Sequence, residues 1–226
     1  MSGNRQANWS FAEGYGAPSA GPSEGDRGAA SEALQWARER ARLSGARTVT
    51  PGTGAALRLL AATADAKAVA EIGTGTGVSG IHLLQGMRPD GVLTTVDPEP
   101  ERQQFARQAF RAAGFAANRA RIIVGRAMDV LPRLADGGYD MVFVDGDPAE
   151  CLDCLAESLR LLRPGGLVCF EGVFAEGRTV GAPGAQPVEV AQLRELLRAV
   201  RESTELLPAL LPVGDGLLCA VKRGGA

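Results

Sequence analysis

Four glycines and one carboxylate fall within the ten residues EIGTGTGVSG. They are Glu71, Gly73, Gly75, Gly77 and Gly80. Glycine lets the backbone turn sharply and leaves no Cβ between the main chain and a bound ligand. The stretch therefore predicts a turn that receives a cofactor. Read from Gly75, it is G-x-G-x-x-G, the fingerprint of a dinucleotide site.

A second pattern overlaps the first. Read from Glu71, the stretch is E-x-G-x-G-x-G, which is typical of S-adenosylmethionine (SAM) sites, and Gly73 and Thr74 are expected to line the methionine and ribose end of that cofactor. Asp97 lies twenty residues after Gly77. At that distance a carboxylate ending the next strand can accept both ribose hydroxyls, but NAD proteins share this feature.

The residues that follow the predicted strands decide between the two cofactors. Five of them are acidic and none is basic; the acidic ones are Glu71, Asp97, Asp145, Asp147 and Glu171. A carboxylate about 6 Å from the pyrophosphate of a dinucleotide would oppose it by roughly 3 kcal/mol at an effective dielectric near 20. SAM has no phosphate and carries a sulfonium and an ammonium group. The acidic rim therefore favours SAM.

The elements that position these residues alternate between β-rich and helical patterns. Predicted strands cover residues 68–72, 92–96, 121–124, 140–144 and 167–170, with helices between them. Such alternation indicates a parallel sheet with helices on both faces. At the end of the chain, ELLPALL and GLLCAVK are separated only by PVGDG, so the last strand should run antiparallel. The expected fold is α/β, the Rossmann-like class I methyltransferase fold, with seven mostly parallel strands and an antiparallel last strand.

Several motifs in order resemble one known family. EIGTGTGVSG, TTVDPEPE, GRAMDVLPRL, YDMVFVDGDP, LRLLRPGGLV and LLPVGDGLLCAVK are similar to segments of the SAM-dependent O-methyltransferases of the catechol O-methyltransferase-like family, and most of all to actinobacterial members. The likeness runs from about Val49 to Arg223. It implies a SAM-dependent enzyme that transfers a methyl group to a hydroxyl of a small molecule, either phenolic or otherwise hydroxylated, and it implies a homodimer.

The resemblance also implies which residues hold the cofactor and the acceptor. The cofactor contacts fall on Val49, Glu71, Gly73, Thr74, Ser79, Asp97, Pro98, Ala127 and Asp147. Asp145 is the candidate for both the catalytic and the acceptor-binding position.

Three residues depart from the family pattern. Better-studied members hold Mg²⁺ with an aspartate after the fourth strand and an Asp-Asn pair after the fifth, and they use a lysine as base. Here the aspartate is Asp145, the pair is Glu171-Gly172, and Pro148 stands where the lysine would be. Gly172 offers no side-chain oxygen, so Asp145 and Glu171 would form only a weak Mg²⁺ site, and no metal ligand is assigned. Asp145, Asp147 and Glu171 remain the candidates for a base.

Two alternative functions stay open at this point. The missing lysine and the altered pair leave room for a catalytically weak SAM-binding protein that acts through a dimer or a partner. An NAD(P)-dependent oxidoreductase is disfavoured by the acidic rim and by the terminal hairpin. Transfer of a methyl group to any acceptor would exclude the first alternative, and binding of SAM rather than NAD would exclude the second.

Composition bounds the remaining possibilities. The chain has 226 residues, a net charge of −2 and two lysines, so we expect binding to neither nucleic acid nor an anionic membrane. With neither a signal peptide nor a spanning helix in the sequence, we expect a cytoplasmic protein. Cys151 and Cys154 form a C-x-x-C, which we interpret as two small side chains on a helix, and His82 as a residue that packs a helix.

The sequence divides into an arm and one domain. Residues 1–29 are rich in glycine and proline without periodicity, which predicts a flexible arm. Residues 30–226 form the methyltransferase domain, with N-terminal helices over 30–66 and the α/β core over 67–223. Residues 175–187 are expected to form a mobile lid. The acceptor cannot be identified from these features.

Overall fold

The alternating segments of this chain build one sheet with helices on both faces. In a computed structural model, residues 2–15, 26–181 and 187–224 are described. Within these ranges, no helix combines the length and the apolar character that crossing a membrane requires.

The helices and strands follow the predicted order. The α-helices are α1 Ser2–Tyr15, α2 Asp26–Leu43, α3 Pro51–Thr63, α4 Val78–Gly86, α5 Pro100–Ala112, α6 Ala127–Val130, α7 Cys151–Leu161 and α8 Val188–Glu202. Three short 3-10 helices are η1 Ala117–Arg119, η2 Leu131–Arg133 and η3 Pro148–Glu150. The strands are β1 Ala68–Ile72, β2 Val92–Asp97, β3 Ala120–Val124, β4 Tyr139–Val144, β5 Leu162–Phe170, β6 Leu206–Leu211 and β7 Leu217–Lys222.

The sheet has seven strands in the order β3-β2-β1-β4-β5-β7-β6. The pairs among β1 to β5 are parallel, and β7 runs antiparallel to both β5 and β6. The predicted fold class is therefore confirmed, including the antiparallel last strand. The order reverses direction at β1, so the crevice of an open α/β sheet lies beyond the carboxyl ends of β1 and its neighbours β2 and β4.

Two apolar layers cover the faces of the sheet. Along β4, Met141 and Phe143 belong to the layer that includes buried residues of α3, α4 and α5. Val142 and Val144 belong to the opposite layer, with buried residues of α7 and α8. A strand buried on both faces reads as a continuous apolar run, which explains the sequence MVFV.

The N-terminal region differs from the predicted flexible arm. Residues Ser2–Tyr15 form a helix, and α2 begins at Asp26, inside the predicted arm. The Glu13 carboxylate accepts hydrogen bonds from the backbone N–H of Gly52 at 3.0 Å and of Gly214 at 2.7 Å. These tertiary contacts order α1, and local composition does not reveal them. Residues 16–25 of the predicted arm lie outside the described residues, as do residues 182–186 of the predicted lid.

Candidate active site

A cleft of about 450 Å³ opens beyond the carboxyl ends of β1, β2, β3 and β4. Six predicted site residues line it, namely Gly73, Asp97, Pro98, Ala127, Asp145 and Asp147. They follow four different strands, and the parallel sheet brings these strand ends to one edge. An adjoining recess of about 180 Å³ shares Gly73, Asp97 and Asp145 with the cleft.

The glycine-rich turn at this edge depends on positive φ angles. Gly73, Gly75 and Gly77 have φ of +94°, +49° and +93°, in the region that residues with a Cβ rarely adopt. A Cβ on Gly73 would lie 2.3 Å from the carbonyl oxygen of Asp145. Gly73 therefore allows β1 and β4 to bring their ends into direct contact at the floor of the cleft.

Asp97 is held in place by the backbone around it. Its Oδ2 accepts a hydrogen bond from the N–H of Gly75 at 2.8 Å, and its Oδ1 accepts one from the N–H of Glu99 at 2.9 Å. A carboxylate oxygen accepts more than one hydrogen bond. Both oxygens can therefore also accept bonds from a ligand, such as the two hydroxyls of a ribose.

Glu71 lies beneath the turn and is fully buried, so it does not line the cleft. Its Oε2 accepts a 2.6 Å hydrogen bond from the hydroxyl of Thr95. The same Thr95 hydroxyl is hydrogen-bonded to the hydroxyl of Thr74 at 2.7 Å. The Gln103 amide donates to Thr74 at 3.4 Å. Thr95 and Gln103 were absent from the predicted site, because a β-strand threonine and a helical glutamine have no motif that marks them.

Burial controls the protonation of Glu71. Burial raises its pKa to about 7; the hydrogen bond from Thr95 and the nearby hydroxyl of Ser79 oppose the rise, and the charges of Asp145 and Asp97 add to it. Oε1 of Glu71 has no partner among the described residues. A cation above this carboxylate would favour its ionised form.

Asp145 lines the cleft, whereas Glu171 lies near Asp145 but is not among the residues that line the cleft or the recess. Burial raises the pKa of Asp145 to about 7; the charge of Arg47 lowers it and that of Asp97 raises it. Burial and the neighbouring Asp145 raise the pKa of Glu171 to about 8. Glu171 Oε1 accepts a 3.2 Å hydrogen bond from the hydroxyl of Thr53, and Oε2 has no partner in the described part of the chain. Near neutral pH, Asp145 can accept a proton and Glu171 is mostly protonated.

Other predicted residues lie beneath the cleft or at its rim. Val49 and Ser79 are buried and do not line the cleft. Asp147 is exposed at the rim and caps η3, where its Oδ1 accepts from the N–H of Ala149 at 2.9 Å. Pro148 occupies the first position of η3. This cap explains a proline at a position where the resemblance implies a lysine.

The rim is not exclusively acidic, which corrects the sequence-based picture. Arg102 and Arg126 line the cleft, and Arg47 lines the recess. Arg126 pairs with Glu150. Arg102 lies in α5 and Arg47 in the loop before α3, away from the strand ends. Arg126 does follow a strand, two residues after β3, so the expectation of strand ends without a basic residue was wrong there.

The side chains present do not fit a divalent cation. Gly172, with φ of +74°, has no oxygen to offer, and Glu171 uses Oε1 to accept from Thr53. Across the ranges 2–15, 26–181 and 187–224, no group of three or more His, Cys, Asp or Glu side chains could hold a metal ion. Two carboxyl groups are few ligands for Mg²⁺, which binds oxygen octahedrally.

Two features noted in the sequence lie outside the site. Cys151 and Cys154 are buried at the start of α7, and burial raises the pKa of their thiols to about 11 and about 12, so the reactive thiolate is disfavoured. His82 is buried in α4 against Gly54 of α3. Both agree with a packing role.

Comparison with known proteins assigns this chain to a family. The family model described as O-methyltransferase matches residues 31–223. A protein of Mycobacterium tuberculosis described as a probable O-methyltransferase is 54% identical over 189 residues, which cover 84% of each chain. The structure of the O-methyltransferase TomG from Streptomyces achromogenes, solved in complex with SAM, has a TM-score of 0.82 and 27% identity, covering 97% of this chain and 99% of that one. An O-methyltransferase from Bacillus cereus shares the fold, with a TM-score of 0.81 at 22% identity over 96% of this chain and 99% of that one. With a family model that spans most of its length and a relative of this identity, the chain belongs to the O-methyltransferase family.

Proposed function

We propose that the cleft binds SAM and that the enzyme transfers the SAM methyl group to a hydroxyl of a small molecule. The observation that carries this proposal is the convergence of Gly73, Asp97 and Asp145 in one cleft at the strand ends. The SAM complex of TomG supports the choice of cofactor. Gly73, Pro98 and Ala127 would contact the cofactor, and Asp97 would accept its ribose hydroxyls.

The buried residues would act from below the cofactor. Glu71, Thr74 and Ser79 lie beneath the turn, where the Glu71 carboxylate would stabilise the cationic methionine end. Val49 would support the loop that leads into α3, and Asp147 would shape the rim through its cap on η3. We retain these roles as proposals.

Asp145 is the proposed general base. In the reaction, an acceptor oxygen attacks the methyl carbon in line with the sulfonium, and the C–S electron pair goes to sulfur. The hydroxyl proton goes to the Asp145 carboxylate, which its pKa of about 7 leaves partly ionised at neutral pH. Much of the rate would come from positioning, which can contribute about 7 to 11 kcal/mol.

Two measurements test this function. In isothermal titration calorimetry we expect SAM to bind and NAD not to bind; the reverse result would reject the cofactor assignment. Transfer of a labelled methyl group to a panel of catechols and flavonoids, with and without Mg²⁺, tests the reaction. Asp145→Asn should lower kcat at least tenfold, whereas Asp153→Asn, an exposed aspartate in the first turn of α7, should not change it.

A weaker alternative has its own motivation. Pro148 and Gly172 remove the lysine and one metal ligand that the resemblance implies, so the protein would bind SAM and act through a dimer or a partner. Single-turnover measurements separate the two ideas, since any robust transfer excludes a role in binding alone.

The broader assignments also remain proposals. We propose a domain over residues 30–226 with its core over 67–223, a homodimer on the basis of the family, and a cytoplasmic location. Size-exclusion chromatography with light scattering tests the dimer, since a single mass near 23.4 kDa would reject it.

A further inference from the structure

Arg47 lines the recess beside the proposed methyl-transfer point, and the proposed function gives it no role. The recess is formed by Ala46, Arg47, Gly73, Gly75, Asp97, Arg102 and Asp145. Because Gly73, Asp97 and Asp145 also line the cleft, a ligand in the cleft lies next to this arginine.

The loop that carries Arg47 is anchored on both sides. Before it, the N–H of Ala46 donates to the carbonyl oxygen of Ala41 at 2.9 Å. After it, Arg38 donates to the carbonyl oxygen of Val49 at 2.7 Å and to the hydroxyl of Thr48 at 3.3 Å. The backbone therefore holds Arg47 at the recess.

The guanidinium itself has no partner within the ranges that the structure describes. Arg38 and Arg126 are engaged in hydrogen bonds or ion pairs, but Arg47 makes neither. Its charge nevertheless acts on Asp145, whose pKa it lowers. Arg47 is thus close enough to influence Asp145 and is not paired with it, which leaves its donors free for a ligand.

A free guanidinium at this position fits a carboxylate. Its planar fork donates two parallel hydrogen bonds to a carboxylate, and such charge-assisted pairs are stronger than neutral ones. We propose that Arg47 binds a carboxylate in the assembled complex and is a specificity-determining residue of the enzyme. The inference rests on the proposed function, and the carboxylate comes either from the methionine end of SAM or from an acidic group on the acceptor.

The experiment separates these two sources. The proteins are wild type, Arg47→Gln, Arg47→Lys and the control Arg111→Gln, which removes one exposed charge from the last turn of α5. Circular dichroism and thermal unfolding verify that each is folded. Calorimetry then measures the affinity for SAM and for 5′-methylthioadenosine, which lacks the amino-acid carboxylate. A second titration adds 3,4-dihydroxybenzoate or catechol to the complex with S-adenosylhomocysteine.

A cofactor source predicts that Arg47→Gln weakens SAM binding by about 10- to 100-fold and leaves 5′-methylthioadenosine binding unchanged. An acceptor source predicts the same loss for 3,4-dihydroxybenzoate and none for catechol. In either case Arg47→Lys should show a smaller loss, since lysine keeps the charge without the fork.

The proposal is overturned if the affinities of Arg47→Gln stay within about twofold of those of Arg111→Gln for every ligand. This also holds if wild type binds no 3,4-dihydroxybenzoate and the two variants have equal affinity for SAM. Failure of the proposed function has a different signature, because wild type itself would then bind no SAM or transfer no methyl group.

Discussion

The hydroxyl of Thr95 donates a 2.6 Å hydrogen bond to Oε2 of Glu71 directly beneath the glycine-rich turn. The second carboxylate oxygen has no partner among the residues described. Without a ligand, the fold thus buries a half-satisfied acid, and this arrangement costs stability when the acid is ionised. A cationic cofactor would offset that cost.

Glu71→Gln should stabilise the ligand-free protein at high pH. The pKa of Glu71 is about 7 in the folded state and 4.5 in the unfolded state. Glu71 therefore contributes fully to the free energy of unfolding below pH 4.5, where both states are protonated at this group, and this contribution is lost as the pH rises through 7. The loss amounts to at most about 3 kcal/mol. Urea unfolding should show the variant about 1 to 3 kcal/mol more stable than wild type at pH 8 and nearly equal at pH 4.5. A difference that does not change with pH would contradict the raised pKa. The same variant should bind SAM more weakly.

SAM binding should strengthen with pH. The pKa values of Glu71 and Asp145 are raised to about 7 and that of Glu171 to about 8, so all three are largely protonated at pH 6. A cation favours their ionised forms, and binding should therefore release protons. We expect affinity to rise about tenfold between pH 6 and pH 8.5. Calorimetry in two buffers of different ionisation enthalpy counts the protons, and Asp145→Asn should release fewer. Equal affinity at both pH values would show that these groups do not couple to the cofactor.

His82 should make the fold sensitive to acid. Burial, together with the charges of Arg38 and Arg58, lowers its pKa to about 4, and neither ring nitrogen has a partner in the described chain. The unfolded chain takes up a proton near pH 6.5, so stability falls as pH drops from 6.5 towards 4, by at most about 3 kcal/mol.

His82→Leu removes this titration. We expect wild type to lose more unfolding free energy than the variant between pH 7 and pH 4.5, as measured by urea unfolding. The comparison between proteins matters, because Glu71 changes stability in the opposite direction over the same range. Parallel pH profiles for the two proteins would argue against a buried neutral His82.

Gly73→Ala should damage the fold far more than Gly75→Ala. A Cβ on Gly73 meets the Asp145 carbonyl oxygen at 2.3 Å and also requires φ of +94°. Gly75 has φ of +49° and nothing within 4 Å of its Cβ position. We expect losses above about 3 kcal/mol for Gly73→Ala and near 1 kcal/mol for Gly75→Ala, from thermal unfolding. Equal losses would mean that φ alone, rather than contact with β4, restricts this turn.

The succession of strands along the chain and the cofactor turn were predictable from the sequence because both rest on local patterns. A strand buried on both faces must be continuously apolar, as in MVFV, and the short connection PVGDG permits only an antiparallel return. The distance from Gly77 to Asp97 likewise follows from one helix and one strand. These features depend on chain geometry over short separations.

Tertiary structure decided what depends on residues distant in sequence. Glu13 orders α1 through Gly52 and Gly214, and no local signal in the N-terminal region indicates these partners. Arg47 enters the recess from a loop before α3, although every strand-end residue that the sequence singled out is acidic or uncharged. The pKa values of Glu71, Asp145 and Glu171 depend on how deeply the folded chain buries each group, since burial is the largest cause of all three shifts. The sequence by itself thus determined which carboxylates gather at the strand ends, while only the fold decided which of them carry a charge and which arginine faces them.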